Sequence, residues 1–148
     1  MSLKDKIETK EAQICVIGLG YVGLPLATGF ARAGYRVFGL DVDGGKVAAL
    51  QRGESYIQDV SPQEVSPLVS AGTLVPTTDY HILGFVDAIF ICVPTPFDEM
   101  KAPDLSFIVK AAEGIVPHLR PEQLVILQST TYPGTTEEVV LPLSLIHI

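Results

Sequence analysis

Ile14-Cys15-Val16-Ile17-Gly18-Leu19-Gly20-Tyr21-Val22-Gly23-Leu24-Pro25-Leu26-Ala27-Thr28-Gly29-Phe30-Ala31 is the stretch that decides the fold. Its first four residues are apolar and largely β-branched, the mark of a short buried strand. Glycines then recur as Gly-x-Gly-x-x-Gly, and from Leu24 the apolar pattern turns helical. Eighteen residues beyond Gly23 a second strand, Arg36-Val37-Phe38-Gly39-Leu40, ends on Asp41. The glycine spacing alone is weak. Strand, glycine turn, helix, strand and terminal acid in that order form the fingerprint of a dinucleotide-binding unit.

Each position in the fingerprint has a physical task. Gly18 lets the chain turn sharply out of the strand, where a Cβ would clash. Gly20 has no side chain, so backbone can approach a pyrophosphate closely, and Gly23 lets the helix pack tightly on the sheet. The unpaired N–H groups of the first helical turn, at the positive end of the helix dipole, favour phosphate charge. Pro25 falls in that first turn, where a missing N–H costs little. Asp41 is placed to accept hydrogen bonds from ribose hydroxyls, and its charge would repel a 2′-phosphate, which favours NAD over NADP.

The bulk composition is consistent with one enzyme domain. The chain has 148 residues, 47% hydrophobic and 18% charged, enough for a single globular core. A formal net charge of −7 argues against a nucleic-acid or anionic-membrane surface. Met1 to Gln13 is polar and does not read as a secretory signal, and no run approaches the roughly 20 apolar residues of a membrane span. A cytoplasmic location is the expectation. Cys15 and Cys92 both fall in strands and read as small core hydrophobes. No Cys–His cluster has metal-ligand spacing, so no metal is expected. His118, near a helix C-terminus, reads as a dipole partner rather than a catalytic base.

Along the chain, short β-branched runs alternate with amphipathic ones. Strands are predicted near 13–18, 36–41, 74–77, 87–93 and 123–128, with helices near 21–34, 44–52, 62–71, 104–118 and 134–142. In the fourth helix Asp104 is the expected N-cap, and Leu105, Ile108, Val109, Ala112, Ile115 and Val116 form the expected apolar face. This alternation implies a doubly wound parallel α/β sheet of the Rossmann type, a single domain over 13–142 without a sixth strand. Residues 1–12 read as a polar tail, and 143–148 as an atypical C-terminal tail.

Ligands of such sheets bind beyond the carboxyl ends of the strands. Three further segments lie there: Asp41-Val42-Asp43-Gly44-Gly45-Lys46, Val93-Pro94-Thr95-Pro96 and Ser129-Thr130-Thr131-Tyr132-Pro133-Gly134. Each alone could be an ordinary strand-to-helix loop. Together with the glycine turn they make one site.

These residues resemble a known family. Gly-Tyr-Val-Gly-Leu-Pro-Leu-Ala at 20–27, Asp-Val-Asp followed by Lys46-Val47, Cys-Val-Pro-Thr-Pro at 92–96 and Ser-Thr-Thr-Tyr-Pro-Gly-Thr-Thr at 129–136 resemble the NAD-binding domain of the UDP-sugar 6-dehydrogenases. The resemblance runs from about Ile14 to Pro142. The Ser-Thr-Thr-Tyr-Pro-Gly form and Pro103-Asp104-Leu105-Ser106 look nearest the branch acting on UDP-N-acetylhexosamines.

The resemblance implies oxidation of a sugar C6 alcohol to a carboxylate in two steps with two NAD⁺, through a thiohemiacetal and a thioester on a cysteine of a later domain. It implies that Gly18, Gly20, Tyr21, Val22 and Gly23 hold the dinucleotide and that Asp41 holds the ribose. Val42 and Lys46 would stand on the adenosine side, with Val93, Pro94, Thr95 and Ser129 near the bound cofactor. Thr130 matches a threonine beside the nicotinamide, the one catalytic candidate, although a helix N-cap or turn role suits it equally well. A substrate domain with catalytic cysteine and lysine is absent from these 148 residues, so this piece is expected to bind NAD without turnover. The implied partner is a small-molecule nucleotide sugar, and full-length members are expected to be homo-oligomers. Two other classes stay open: a standalone NAD-sensing module, and a cofactor domain like that of the 3-hydroxyacid dehydrogenases.

Overall fold

The computed structural model describes residues 1–96, 99–100 and 104–129. Five strands form one parallel sheet: β1 (Gln13–Ile17), β2 (Arg36–Leu40), β3 (Leu74–Thr77), β4 (Ala88–Ile91) and β5 (Leu124–Leu127). Their order is β3-β2-β1-β4-β5, with β1 at the centre. Register is continuous across the middle, where Cys15 lies opposite Phe38 on one side and Ile89 on the other. The doubly wound α/β architecture expected from the sequence is the one observed. All five strands fall inside the predicted windows, and no sixth is found among the described residues.

The period-two rule explains the layering. On β1, Ile14 and Val16 enter a core with Leu24, Ala27 and Ala31 of α2 (Gly23–Arg32), joined by Leu50 of α3 (Gly44–Gln51) and Val65 of α4 (Pro62–Ser70). Cys15 and Ile17 point the other way, into a core with Ile89 and Ile91 of β4 and Ala111 and Ile115 of α5 (Ser106–Ile115). A strand covered on both faces has no reason to alternate polar with apolar, and β1 and β4 do not.

Three details depart from the sequence reading. The polar segment 1–12 contains a helix, α1 (Leu3–Glu8), closed by a capping box between Ser2 and Asp5. The fourth predicted helix is shorter. Asp104 stands one residue ahead of the N-cap position, Leu105, and its Oδ1 caps α5 by accepting the N–H of the first helical residue, Ser106, at 2.9 Å. At its other end the chain tightens into a 3-10 turn, Val116–His118, with Pro117 at the transition, and His118 meets the His81 ring edge-on at 5.2 Å. A second 3-10 turn, Tyr80–Gly84, was not predicted at all. The predicted helix 134–142 and the tail 143–148 lie outside the described residues.

At the amino-terminal edge of the sheet, the buried Asp87 ties three elements together. Its carboxylate accepts the Gln13 N–H at 2.9 Å, Lys6 Nζ at 2.9 Å and Arg120 Nη2 at 3.2 Å. Arg120 also donates to the carbonyls of Gly84 and Val86. This network anchors α1 and the entry to β5, and it leaves the opposite sheet edge to the site.

Candidate cofactor site

Gly18 leaves β1 with φ +94°, and a Cβ there would come within 2.6 Å of the Cys92 carbonyl oxygen. At Gly23 a Cβ would run into the Gly18 carbonyl oxygen, so α2 can seat against the turn only without a side chain. Gly20 is different: a Cβ there would meet nothing within 4 Å. The first and third glycines serve the fold, and the second leaves space in front of the backbone.

Hydrogen bonds then fix the turn. Gly18 N–H donates to the Leu40 carbonyl at 2.8 Å, and Leu19 N–H donates to Asp41 Oδ2 at 2.8 Å. Asp41 Oδ1 accepts the Asp43 N–H at 2.9 Å, and Asp43 in turn caps α3 through the N–H groups of Gly45 and Lys46. Asp41 is thus an anchor of two loops. A carboxylate has about four acceptor positions, so capacity remains for a ribose hydroxyl.

Beyond Leu19, the N–H groups of Gly20, Tyr21, Val22 and Gly23 have no acceptor among the described residues. No side chain caps the start of α2, where Val22 occupies the N-cap. Unpaired donors at the positive end of a ten-residue helix make an anion cradle.

These features open onto one cleft of about 600 Å³ at the carboxyl edge of the sheet. It brings together Gly18, Gly20, Tyr21, Val22, Asp41, Val42, Lys46, Val93, Pro94, Thr95 and Ser129 from the sequence reading. Of the remaining candidates, Gly23 stands behind the turn as packing, and Thr130 lies outside the described residues. Tyr21 and Val42 are 77% and 78% exposed at the mouth, apolar surface of the kind that covers a bound ring.

Sequence reasoning missed Tyr80, Phe107 and Lys110, which line the same cleft from the 3-10 turn and α5. Phe107 and Lys110 could have been found: they stand one helical turn apart, off the stripe made by Ile108, Ala111, Ala112 and Ile115. Tyr80 carried no periodic signal. Its hydroxyl is held above the usual tyrosine range by burial and, less strongly, by Cys15 and Asp41, so it stays protonated and can donate. Cys92 lines the floor, with burial pushing its thiol up to about 11, and the fully buried Cys15 is pushed up further by the same cause. Neither is a thiolate at neutral pH. Among the described residues no cluster could hold a metal ion, and no helix is long and apolar enough to cross a membrane.

Residues 12–146 match the family model described as UDP-glucose/GDP-mannose dehydrogenase family, NAD binding domain. The chain belongs to that family. It is 41% identical over 133 residues to the UDP-N-acetyl-D-glucosamine 6-dehydrogenase of Pseudomonas aeruginosa, covering 90% of this chain and 31% of that protein. It is 36% identical over 140 residues to the UDP-N-acetyl-D-mannosamine dehydrogenase of Methanococcus aeolicus, covering 91% of this chain and 31% of that one. The fold agrees. A UDP-glucose dehydrogenase structure from Pyrobaculum islandicum superposes with a TM-score of 0.85 at 33% identity, over 92% of this chain and 33% of that chain. The chain spans about a third of the length of the curated relatives it matches. It is an NAD-binding domain of a nucleotide-sugar dehydrogenase family, and its cofactor is NAD.

Proposed function

We propose that this chain is the cofactor-binding part of an enzyme that oxidises the C6 alcohol of a UDP-N-acetylhexosamine to the uronate. The observation that carries the reading is the glycine turn. Gly20 leaves open space, four consecutive N–H groups after Leu19 stand without acceptors among the described residues, and Asp41 closes the other side of the cleft. The UDP-N-acetylhexosamine substrate class is supported by the names of the two relatives and by the Ser129-Thr130-Thr131-Tyr132-Pro133-Gly134 segment.

The places of the residues in the cleft support a role for each. Gly20, Tyr21 and Val22 present N–H donors to the diphosphate, and Asp41 accepts from the adenosine ribose. Val42, Val93 and Pro94 flank the adenosine with apolar surface, with Lys46 at its edge and Thr95 and Ser129 towards the nicotinamide. When bound, NAD⁺ supplies a hydride acceptor. Thr130 follows Ser129 directly and is proposed to orient the reacting groups beside the nicotinamide. The covalent step of the second oxidation needs a thiolate nucleophile. Cys15, buried in β1, and Cys92, which lies just past the end of β4 rather than in the strand, are both protonated and do not provide one. The 148-residue chain by itself is therefore expected to bind NAD⁺ without turning over sugar.

Mixing the 148-residue chain with NAD⁺ and each of UDP-N-acetylglucosamine, UDP-N-acetylmannosamine and UDP-glucose tests this division. NADH absorbance should stay at background with all three, while titration shows NAD⁺ bound. Sustained sugar-dependent NADH formation would place the active site within these residues and contradict the proposal.

A further inference from the structure

Leu19, between the first two glycines, has both of its backbone polar groups held by side chains from elsewhere. Its N–H donates to Asp41 Oδ2 at 2.8 Å, and its carbonyl accepts the Tyr56 hydroxyl at 2.6 Å. Tyr56 comes from the irregular segment between α3 and α4, far from the glycine motif in sequence. The peptide joining Leu19 to Gly20 is trans, so its carbonyl and its N–H point in opposite directions. With the carbonyl turned to Tyr56, the Gly20 N–H faces away from Tyr56 and has no acceptor among the described residues.

The tyrosine is itself held in place. Its half-buried ring packs against the core that α2 shares with the sheet, and Lys46 Nζ stands 5.6 Å from the ring centroid. Lys46 also lines the cleft, so one cation links the cofactor side of the site to the ring that braces the turn.

We propose that Tyr56 is a positioning residue of the cofactor site: its hydroxyl fixes the rotation of the Leu19–Gly20 peptide and thereby presents the Gly20 N–H to a diphosphate. The proposal rests on the reading of the glycine turn as the cofactor cradle. A peptide with glycine on one side rotates more easily than one between two residues that carry side chains, because φ of Gly20 is little restricted. Rotation by half a turn would offer a carbonyl oxygen, an acceptor, where an anion needs a donor. Asp41 holds the peptide before Leu19 and Tyr56 the peptide after it, so the two side chains leave neither free to turn.

The test compares the 148-residue chain with Y56F by titrating NAD⁺, ADP and adenosine, with circular dichroism as the check on fold. Phenylalanine keeps the ring, its packing and the Lys46 contact, and removes only the hydroxyl. Affinity for NAD⁺ and ADP should fall by roughly tenfold, the effect of about one hydrogen bond to a charged group, while adenosine affinity is unchanged. A tyrosine with a merely structural role would leave the ratio of ADP to adenosine affinity as it was, and that result would overturn the proposal. If the parent chain binds neither NAD⁺ nor ADP, the cofactor reading fails and the proposal with it. If the parent binds both and Y56F matches it, the tyrosine proposal alone fails. The unsubstituted chain gives a second test by amide NMR. The Gly20 N–H should shift with ADP and not with adenosine, and an amide that responds equally to both contradicts the proposal.

Discussion

Asp41 Oδ2 accepts the Leu19 N–H at 2.8 Å, so the acid at the tip of β2 holds the glycine turn at the tip of β1. The acid of the fingerprint therefore has a structural duty beside the ligand duty proposed for it. Asp41→Ala should remove both. Leaving the buried Leu19 N–H without a partner should cost about 1–3 kcal/mol of stability, and NAD⁺ affinity should fall by roughly 10–100-fold. Asp41→Asn keeps an amide oxygen for Leu19 and should melt closer to the parent while still binding NAD⁺ weakly. Thermal melts with cofactor titration of both variants separate the two duties. An Asp41→Ala variant that melts with the parent would deny the anchoring role.

Gly20 and Gly23 of the turn should respond differently to substitution. Gly20→Val places a branched side chain in open space, so the melting temperature should barely move while NAD⁺ binding is nearly abolished. Gly23→Ala drives a Cβ into the Gly18 carbonyl, an overpacking expected to cost about 1–3 kcal/mol. Paired melts and titrations check the contrast. Equal melting losses would mean that the turn is packed differently from the arrangement described.

Asp87 predicts how acid destabilises the fold. Burial alone would raise its carboxyl; the hydrogen bonds from Gln13, Lys6 and Arg120 outweigh that and hold it below the usual aspartate value of 3.8. A carboxyl lowered on folding contributes stability that is present above its unfolded pKa and is lost as pH falls through its folded pKa. The parent should therefore lose stability as pH drops from about 5 towards 3 and below. Asp87→Asn, stripped of the charge that pairs the partly exposed Lys6 and Arg120, should be less stable at neutral pH by about 1–2 kcal/mol and show a flatter acid limb. Melting curves over that range read both effects, and parallel acid limbs would argue against this network.

The parts of this molecule legible in its sequence are those where one residue type answers one backbone demand. Gly18 and Gly23 are set by contacts no Cβ could make, and β1 and β4 announce themselves by unbroken apolar runs. The order of motifs along the strand tips also placed Asp41, Val93 and Ser129 at a single cleft. Long-range contacts without a periodic signature were not legible. Tyr56 reaches Leu19 across 37 positions from an irregular segment, and nothing local marks it. Helix α1 is too short and polar for amphipathic patterning; its place depends on Lys6 meeting Asp87, 81 positions away. The start of α5 was legible from Asp104, whose carboxylate meets the first helical N–H, while its early end at Ile115 was not.

The most direct test of the account is calorimetric titration of the 148-residue chain with NAD⁺ and with NADP⁺. With the Asp41 carboxylate against the ribose, a 2′-phosphate would meet like charge and an acceptor that it has no proton to give. NAD⁺ should bind saturably and at least about tenfold more tightly than NADP⁺, with the gap narrowed in Asp41→Ala. Equal affinity for the two cofactors, or no binding of either, would contradict it.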